Sequence, residues 1–90
     1  METRKWEAML AAVELGSFTR AAAQLGLTQS GLTHMMNALE RETGVALLVR
    51  GRSGVRLTAA GERLAPAIQE LLQTSRRLEA QKPVEGAKGV

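Results

Sequence analysis

Gly16-Ser17-Phe18-Thr19-Arg20-Ala21-Ala22-Ala23-Gln24-Leu25-Gly26-Leu27-Thr28-Gln29-Ser30 places two helix stops and two helix starts in quick succession. Gly16 offers a left-handed stop to the segment before it, and Ser17 an N-cap oxygen to the segment after. The helix so framed, Phe18 to Leu25, is short and rich in small residues. Gly26 ends it, and one residue, Leu27, separates that stop from Thr28. Thr28 is the N-cap expected for a further helix from about Gln29 to Thr43, which stops at Gly44. Two helices joined this tightly cross steeply, at about 90–120°, and need small side chains where their backbones meet. Ala22 meets that need, Gly26 supplies the turn, and Leu25, Leu27, Leu32 and Met36 wedge the pair. A plain helical hairpin would tolerate larger residues at Ala21 to Ala23.

Upstream, Trp6, Met9, Leu10 and Val13 recur at the spacing of an amphipathic helix. Downstream of Gly44 the period changes. Val45-Ala46-Leu47-Leu48-Val49 is a compact apolar run and Val55-Arg56-Leu57 alternates, so two short strands are predicted. Between them Arg50-Gly51-Arg52-Ser53-Gly54 has the glycines of a hairpin turn and two arginines at its tip. Thr58 then caps a longer helix with Ala60, Leu64, Ile68, Leu71, Leu72 and Leu78 expected inward. Leu64, Ile68, Leu71, Ser75 and Leu78 are spaced 4, 3, 4, 3, which is a coiled-coil seam. Leu64 is assigned to the chain's own core, and Ile68 to Leu78 to pairing with a second copy. Burying each large apolar side chain of that seam is worth roughly 1.5–3 kcal/mol. Pro66 costs about 3 kcal/mol in a helix interior, so a kink is expected there. Gln81 to Val90 lacks periodicity and reads as a linker or frayed tail.

Ninety residues make one small domain, able to bury roughly 60–65% of the surface its unfolded chain exposes, so a partner subunit would help it. A hydrophobic share of 44% and a charged share of 23% belong to an ordinary globular chain. The absence of cysteine excludes disulfides, a cysteine nucleophile and thiolate zinc sites. No apolar run approaches the ~20 residues of a bilayer span. Met1 to Trp6 lacks a secretory signal, so the chain reads as cytoplasmic. Net charge is +3, from 12 basic against 9 acidic residues. Its distribution is more informative than its sum. No carboxylate lies between Glu14 and Glu40 or between Glu42 and Glu62, and the second gap holds Arg50, Arg52 and Arg56. A chain that keeps negative charge out of its middle can approach a polyanion there.

On a helical wheel of Gln29 to Thr43, Leu32, Met35, Met36 and Leu39 share one side. Ser30, Thr33, His34, Asn37 and Arg41 share the other, with Gln29 in the first turn. A solvated face ordinarily carries Glu and Lys pairs; this one is short, polar and uncharged until its end. Such side chains hydrogen-bond base edges and phosphates in a major groove. Arg50 and Arg52 in the hairpin can reach the sugar-phosphate backbone or a minor groove beside that helix, and Ser17 and Arg20 a phosphate at the start of the preceding one. His34, the single histidine, has no second ligand at metal-binding spacing, and no cofactor is expected. The serines have no base partner, so nucleophilic catalysis has no support and the chain is not expected to be an enzyme. Glu40 and Glu42, two apart on a helix, point in different directions and read as a solvated helix end.

Gly16-Ser17-Phe18-Thr19-Arg20-Ala21-Ala22 followed by Leu25-Gly26-Leu27-Thr28-Gln29-Ser30 resembles the N-terminal DNA-binding domain of LysR-type transcriptional regulators. Leu39-Glu40, Gly44-Val45, Leu47 and Arg56-Leu57-Thr58-Ala59-Ala60-Gly61 extend the resemblance, which covers Trp6 to Leu78. It implies a mainly α fold with a small β-hairpin: a winged helix-turn-helix over residues 1–60, a linker and dimerisation helix over 58–80, and a tail or interdomain linker over 81–90. It also implies a bacterial transcription factor that binds double-stranded DNA at an inverted repeat. The homodimer would form through Leu64, Ile68, Leu71, Leu72, Ser75 and Leu78. The family's effector domain, with its small-molecule ligand, is absent from this sequence, and the aperiodic end leads to the expectation of a trimmed chain. Gly31-Leu32-Thr33-His34-Met35-Met36 stands where the family usually has Ala-Leu-Ser-Arg-Gln-Ile, so His34 replaces a usual Arg. Gly31 costs about 1 kcal/mol relative to Ala in a helix. Two other functions fit the same pattern: a winged-helix module that docks a protein, and a dimerisation module with no DNA specificity of its own.

Overall fold

In a computed structural model the structure describes residues 3–81, which form α1 (Arg4–Leu15), α2 (Phe18–Leu25), α3 (Gln29–Thr43), β1 (Leu48–Gly51), β2 (Gly54–Leu57) and α4 (Ala59–Gln81). The tail assigned to residues 81–90 lies outside the described residues apart from Gln81, which ends α4.

The helix boundaries follow from local chemistry. The Ser17 hydroxyl accepts from Arg20 N at 3.1 Å, Thr28 from Gly31 N at 3.0 Å and Thr58 from Gly61 N at 3.0 Å. Each satisfies one N–H that its helix leaves without an intrahelical acceptor. Gly26 closes α2 at φ 73°, and Leu27 N donates back to Ala22 O at 2.8 Å, the six-to-one bond of a Schellman stop. Any residue with a Cβ would be strained at that φ. A Cβ on Gly31 would stand 3.0 Å from the Thr28 hydroxyl that caps α3, so the glycine leaves the cap room.

The core is a cluster of small and aliphatic side chains. Ala8, Met9 and Ala12 from α1, Phe18, Ala21 and Ala22 from α2, and Leu32, Met36 and Leu39 from α3 are buried together with Leu47 and Val55. Leu25 and Leu27 pack against this cluster half-buried. The three N-terminal helices therefore meet as the alanine pattern requires, with Ala23 left exposed.

The hairpin differs from expectation at both ends. β1 begins at Leu48 rather than Val45, because Thr58 turns the chain into α4 and leaves no opposing strand beyond Leu57. Val45 and Val49 are exposed. The register pairs Leu48 with Leu57, Val49 with Arg56, Arg50 with Val55 and Gly51 with Gly54, so the turn is Arg52-Ser53 alone. Arg50 consequently sits on a strand, not in the loop. The hairpin comes close to the helices at Gly16 O. Val55 N donates to Gly16 O at 3.3 Å, and a Cβ on Gly54, at φ 110°, would lie 2.6 Å from that same oxygen.

α4 also corrects the sequence reading. Ile68 and Leu72 are buried within the single chain, whereas Leu64 is 37% and Leu78 56% exposed. Gly61, Ala65, Ile68 and Leu72 fall within one narrow stripe at about 100° per residue, and Leu64, Leu71, Ser75 and Leu78 on a neighbouring stripe about 80° round the helix. The first stripe serves the chain's own core. Its phase is set by Gly61, where a Cβ would stand 2.6 Å from Leu47 O. Leu64 thus leaves the core it was assigned to, and Ile68 and Leu72 enter it. α4 runs unbroken through Pro66, which is exposed.

Candidate nucleic-acid interface

α3 presents Gln29, Ser30, His34, Asn37 and Arg41 to solvent, with Thr33 half-buried between them. Gln29, Ser30, Thr33, His34 and Asn37 line one open surface depression. A second opening, continuous through Asn37, is bordered by Arg41, Glu40, Gly44, Val45 and Ala46. The apolar side of the same helix, Leu32, Met36 and Leu39, is buried, which leaves the polar ridge on the outer side.

Arg50 adjoins this ridge. Its guanidinium carbon stands 4.1 Å from the centroid of the Phe18 ring, a cation–π contact that holds the side chain against the start of α2. One small cavity is lined by Phe18, Thr33, Asn37, Glu40 and Arg50, and another by Ser17, Thr19, Gln29 and Arg50. Arg50 therefore bridges the ridge and the α2 N-terminus. Arg52 is exposed in the turn. The two arginines that the sequence groups in one loop occupy different places, one stacked on an aromatic ring and one at the hairpin tip.

The helix termini add to the field. Glu7 and Glu62 lie in the first turns of α1 and α4, but α2 and α3 have no acidic residue there. Their N-terminal partial positive charge is thus uncompensated by a carboxylate of the same turn, as an approaching phosphate requires. The Ser17 hydroxyl already accepts from the Arg20 N–H, while the Arg20 side chain is exposed. Ser17 is a cap first, and a phosphate contact from it would use the hydroxyl proton.

Glu40 is not the solvated residue its place near the helix end suggests. It is half-buried, and its Oε2 accepts from Leu47 N at 2.6 Å and Leu48 N at 3.0 Å. The carboxylate that closes the first acid-free gap is turned onto the backbone at the root of the hairpin. Glu42 instead pairs with Lys5 Nζ at 2.6 Å on the surface. Sequence reasoning also missed two contacts: the Phe18–Arg50 stack and a hydrogen bond from Thr19 Oγ1 to Gln29 Oε1 at 2.9 Å. Neither spacing has a recognisable local signature, because each joins different elements. No helix among the described residues is long and apolar enough to cross a membrane.

Comparison with known proteins agrees with this geometry. Residues 3–62 match the model of the bacterial regulatory helix-turn-helix proteins of the lysR family. A probable HTH-type transcriptional regulator of Synechococcus elongatus, LrrA, is 45% identical over 73 residues, covering 81% of this chain and 25% of its own length. The HTH-type transcriptional regulator HdfR of Escherichia coli is 40% identical over 74 residues, covering 82% of this chain and 26% of its own. The chain thus spans about a quarter of the length of these curated relatives. Among solved structures, a CbnR_DBD-DNA complex aligns with a TM-score of 0.81 at 34% identity, over 90% of this chain and 93% of that one. A BenM_DBD complex with catB site 1 DNA aligns with a TM-score of 0.81 at 34% identity, over 89% and 86%. Full-length CbnR aligns with a TM-score of 0.82 at the same 34% identity, over 90% of this chain and 28% of its own. With the family model covering two-thirds of its length, this chain belongs to the lysR family of bacterial regulatory helix-turn-helix proteins.

Proposed function

We propose that the chain is the sequence-specific, double-stranded DNA-binding part of a bacterial transcriptional regulator, working in the cytoplasm as a homodimer on an inverted repeat. The observation that carries this reading is the carboxylate-free ridge of Gln29, Ser30, Thr33, His34 and Asn37 beside Arg50. α3 enters the major groove, where Gln29, Ser30, Thr33 and Asn37 meet base edges or nearby phosphates. His34 and Arg41 are secondary contacts. Arg50 reaches phosphate from its seat on Phe18, and Arg52 holds the backbone or a minor groove from the hairpin tip. Arg20 and the Ser17 hydroxyl meet a phosphate at the start of α2. The structures of similar CbnR and BenM domains in complex with DNA support duplex binding by this fold.

Dimerisation falls to the α4 stripe of Leu64, Leu71, Ser75 and Leu78, whose leucines the single chain leaves partly or largely in water. Ile68 and Leu72 contribute by stiffening the helix from the inside. Two-fold pairing matches a palindromic site and doubles the contacts that one small module can make. No catalytic step is assigned to any residue. Titrating the purified chain with a mixed-sequence duplex between 50 and 200 mM salt, a range in which a protein making about 6–10 phosphate contacts to DNA loses about 10³–10⁵ in affinity, tests the proposal. A steep linear fall of log affinity with log salt is expected. A salt-independent affinity, or none, would favour a protein-docking or dimerisation module.

A further inference from the structure

We infer that Thr19 is a positioning residue that restricts how Gln29 can read a base edge. The inference rests on the duplex-binding reading above and deepens it. A glutamine amide has one acceptor end, Oε1, and one donor end, Nε2 with two hydrogens. Left free, it turns over and accepts or donates as the base demands. Here the Thr19 hydroxyl, at the second position of α2, donates to Gln29 Oε1 at 2.9 Å. That position has no preceding turn of its own helix whose carbonyl could take the hydroxyl proton. The bond crosses from α2 to the first residue of α3, and both anchoring backbones are fixed by their neighbouring caps, Ser17 and Thr28.

Gln29 lines the depression over the α3 ridge and also the cavity that contains Thr19, Ser17 and Arg50. The Thr19 hydroxyl donates to Oε1 and would equally accept from Nε2 with the amide turned over, so it ties down one end of the amide and leaves the other for a base. Reading adenine with both ends of the amide requires both to face the base, and here one is held by Thr19. In water this exposed bond adds little to stability, but once a duplex excludes solvent, an amide already held at one end need not be reordered.

Site selection from a random duplex pool, run with the whole chain as wild type, Thr19→Val, Thr19→Ser and Gln29→Ala, tests the inference. Wild type is expected to show a base preference, other than for adenine, at one half-site position, and that preference should disappear in Gln29→Ala. Thr19→Val keeps shape and removes the hydroxyl; freeing both amide ends should raise the share of adenine at that position by about 2- to 10-fold, the worth of one hydrogen bond. Preferences elsewhere in the half-site should hold, which separates positioning from loss of fold, and Thr19→Ser should restore the wild-type pattern. A wild-type preference for adenine at the Gln29-dependent position would overturn the inference, as would a Thr19→Val profile equal to wild type. Flattening of every position alike by Thr19→Val would also overturn it. If wild type enriches no sequence at all, the duplex-binding reading itself fails.

Discussion

Glu40 and Glu42 lie two residues apart near the end of α3, and the structure gives them unlike roles, so replacing each by alanine is a sharp comparison. Glu40 Oε2 holds two backbone N–H groups, at 2.6 and 3.0 Å, and Leu47, which owns the shorter bond, is fully buried. Hydrogen bonds to a charged group are worth about 1.5–3 kcal/mol each, and a buried donor stripped of its acceptor adds its desolvation penalty. Glu40 is only half-buried, so solvent screens part of this, and Glu40→Ala should destabilise the domain by about 2–4 kcal/mol. For a domain of this size that is a fall in Tm of about 10–25 °C. Glu42 makes an ion pair with Lys5 in which the side chains are 58% and 33% exposed, and Glu42→Ala should cost about 0–1 kcal/mol. Glu40→Gln, which keeps an acceptor oxygen but loses the charge, should fall between them. Urea unfolding followed by far-UV circular dichroism measures all three. Equal midpoints for Glu40→Ala and Glu42→Ala would refute the claim that Glu40 fastens the root of the hairpin to α3.

Arg52→Ala should weaken binding to every duplex and lower the slope of log affinity against log salt by about 1; an unchanged slope removes the hairpin tip from the contact set. Thr33→Val preserves shape and deletes the hydroxyl, so discrimination between selected and scrambled duplexes should fall; undiminished discrimination would show that Thr33 reads nothing. Gly61→Ala pits two effects against each other. Helix propensity alone predicts a gain of about 1 kcal/mol, but the added Cβ meets the Leu47 carbonyl oxygen at 2.6 Å. A net loss of about 1–3 kcal/mol in urea unfolding is expected, and a gain would show that α4 does not sit where it is described.

Features written in neighbouring residues were legible in the sequence. Ser17, Thr28 and Thr58 cap their helices, glycines stop α1 to α3, and Ala21 and Ala22 of α2 lie where helices cross, because capping and turn chemistry act over a few residues. The polar ridge of α3 was legible for the same reason, since helical periodicity fixes which side chains share a face. Features depending on how distant elements meet were not. The heptad spacing of α4 shows that a seam exists, but its phase against the core is set by the close approach of Gly61, a residue with no side chain to count. Arg50 moved from loop to strand because the Gly51–Gly54 pairing shortens the turn to two residues. Glu40 looked like any acidic residue near a helix end until Leu47 and Leu48 came round to meet it.

Mapping duplex binding onto the backbone amide resonances of the isotope-labelled chain tests the central claim most directly. Addition of duplex should shift and broaden the amides of residues 28–37 and 50–54 most, and leave those around Glu7 and Glu14 on the exposed side of α1 nearly unchanged. Largest shifts on the outer side of α1, with the α3 ridge unmoved, would contradict the account.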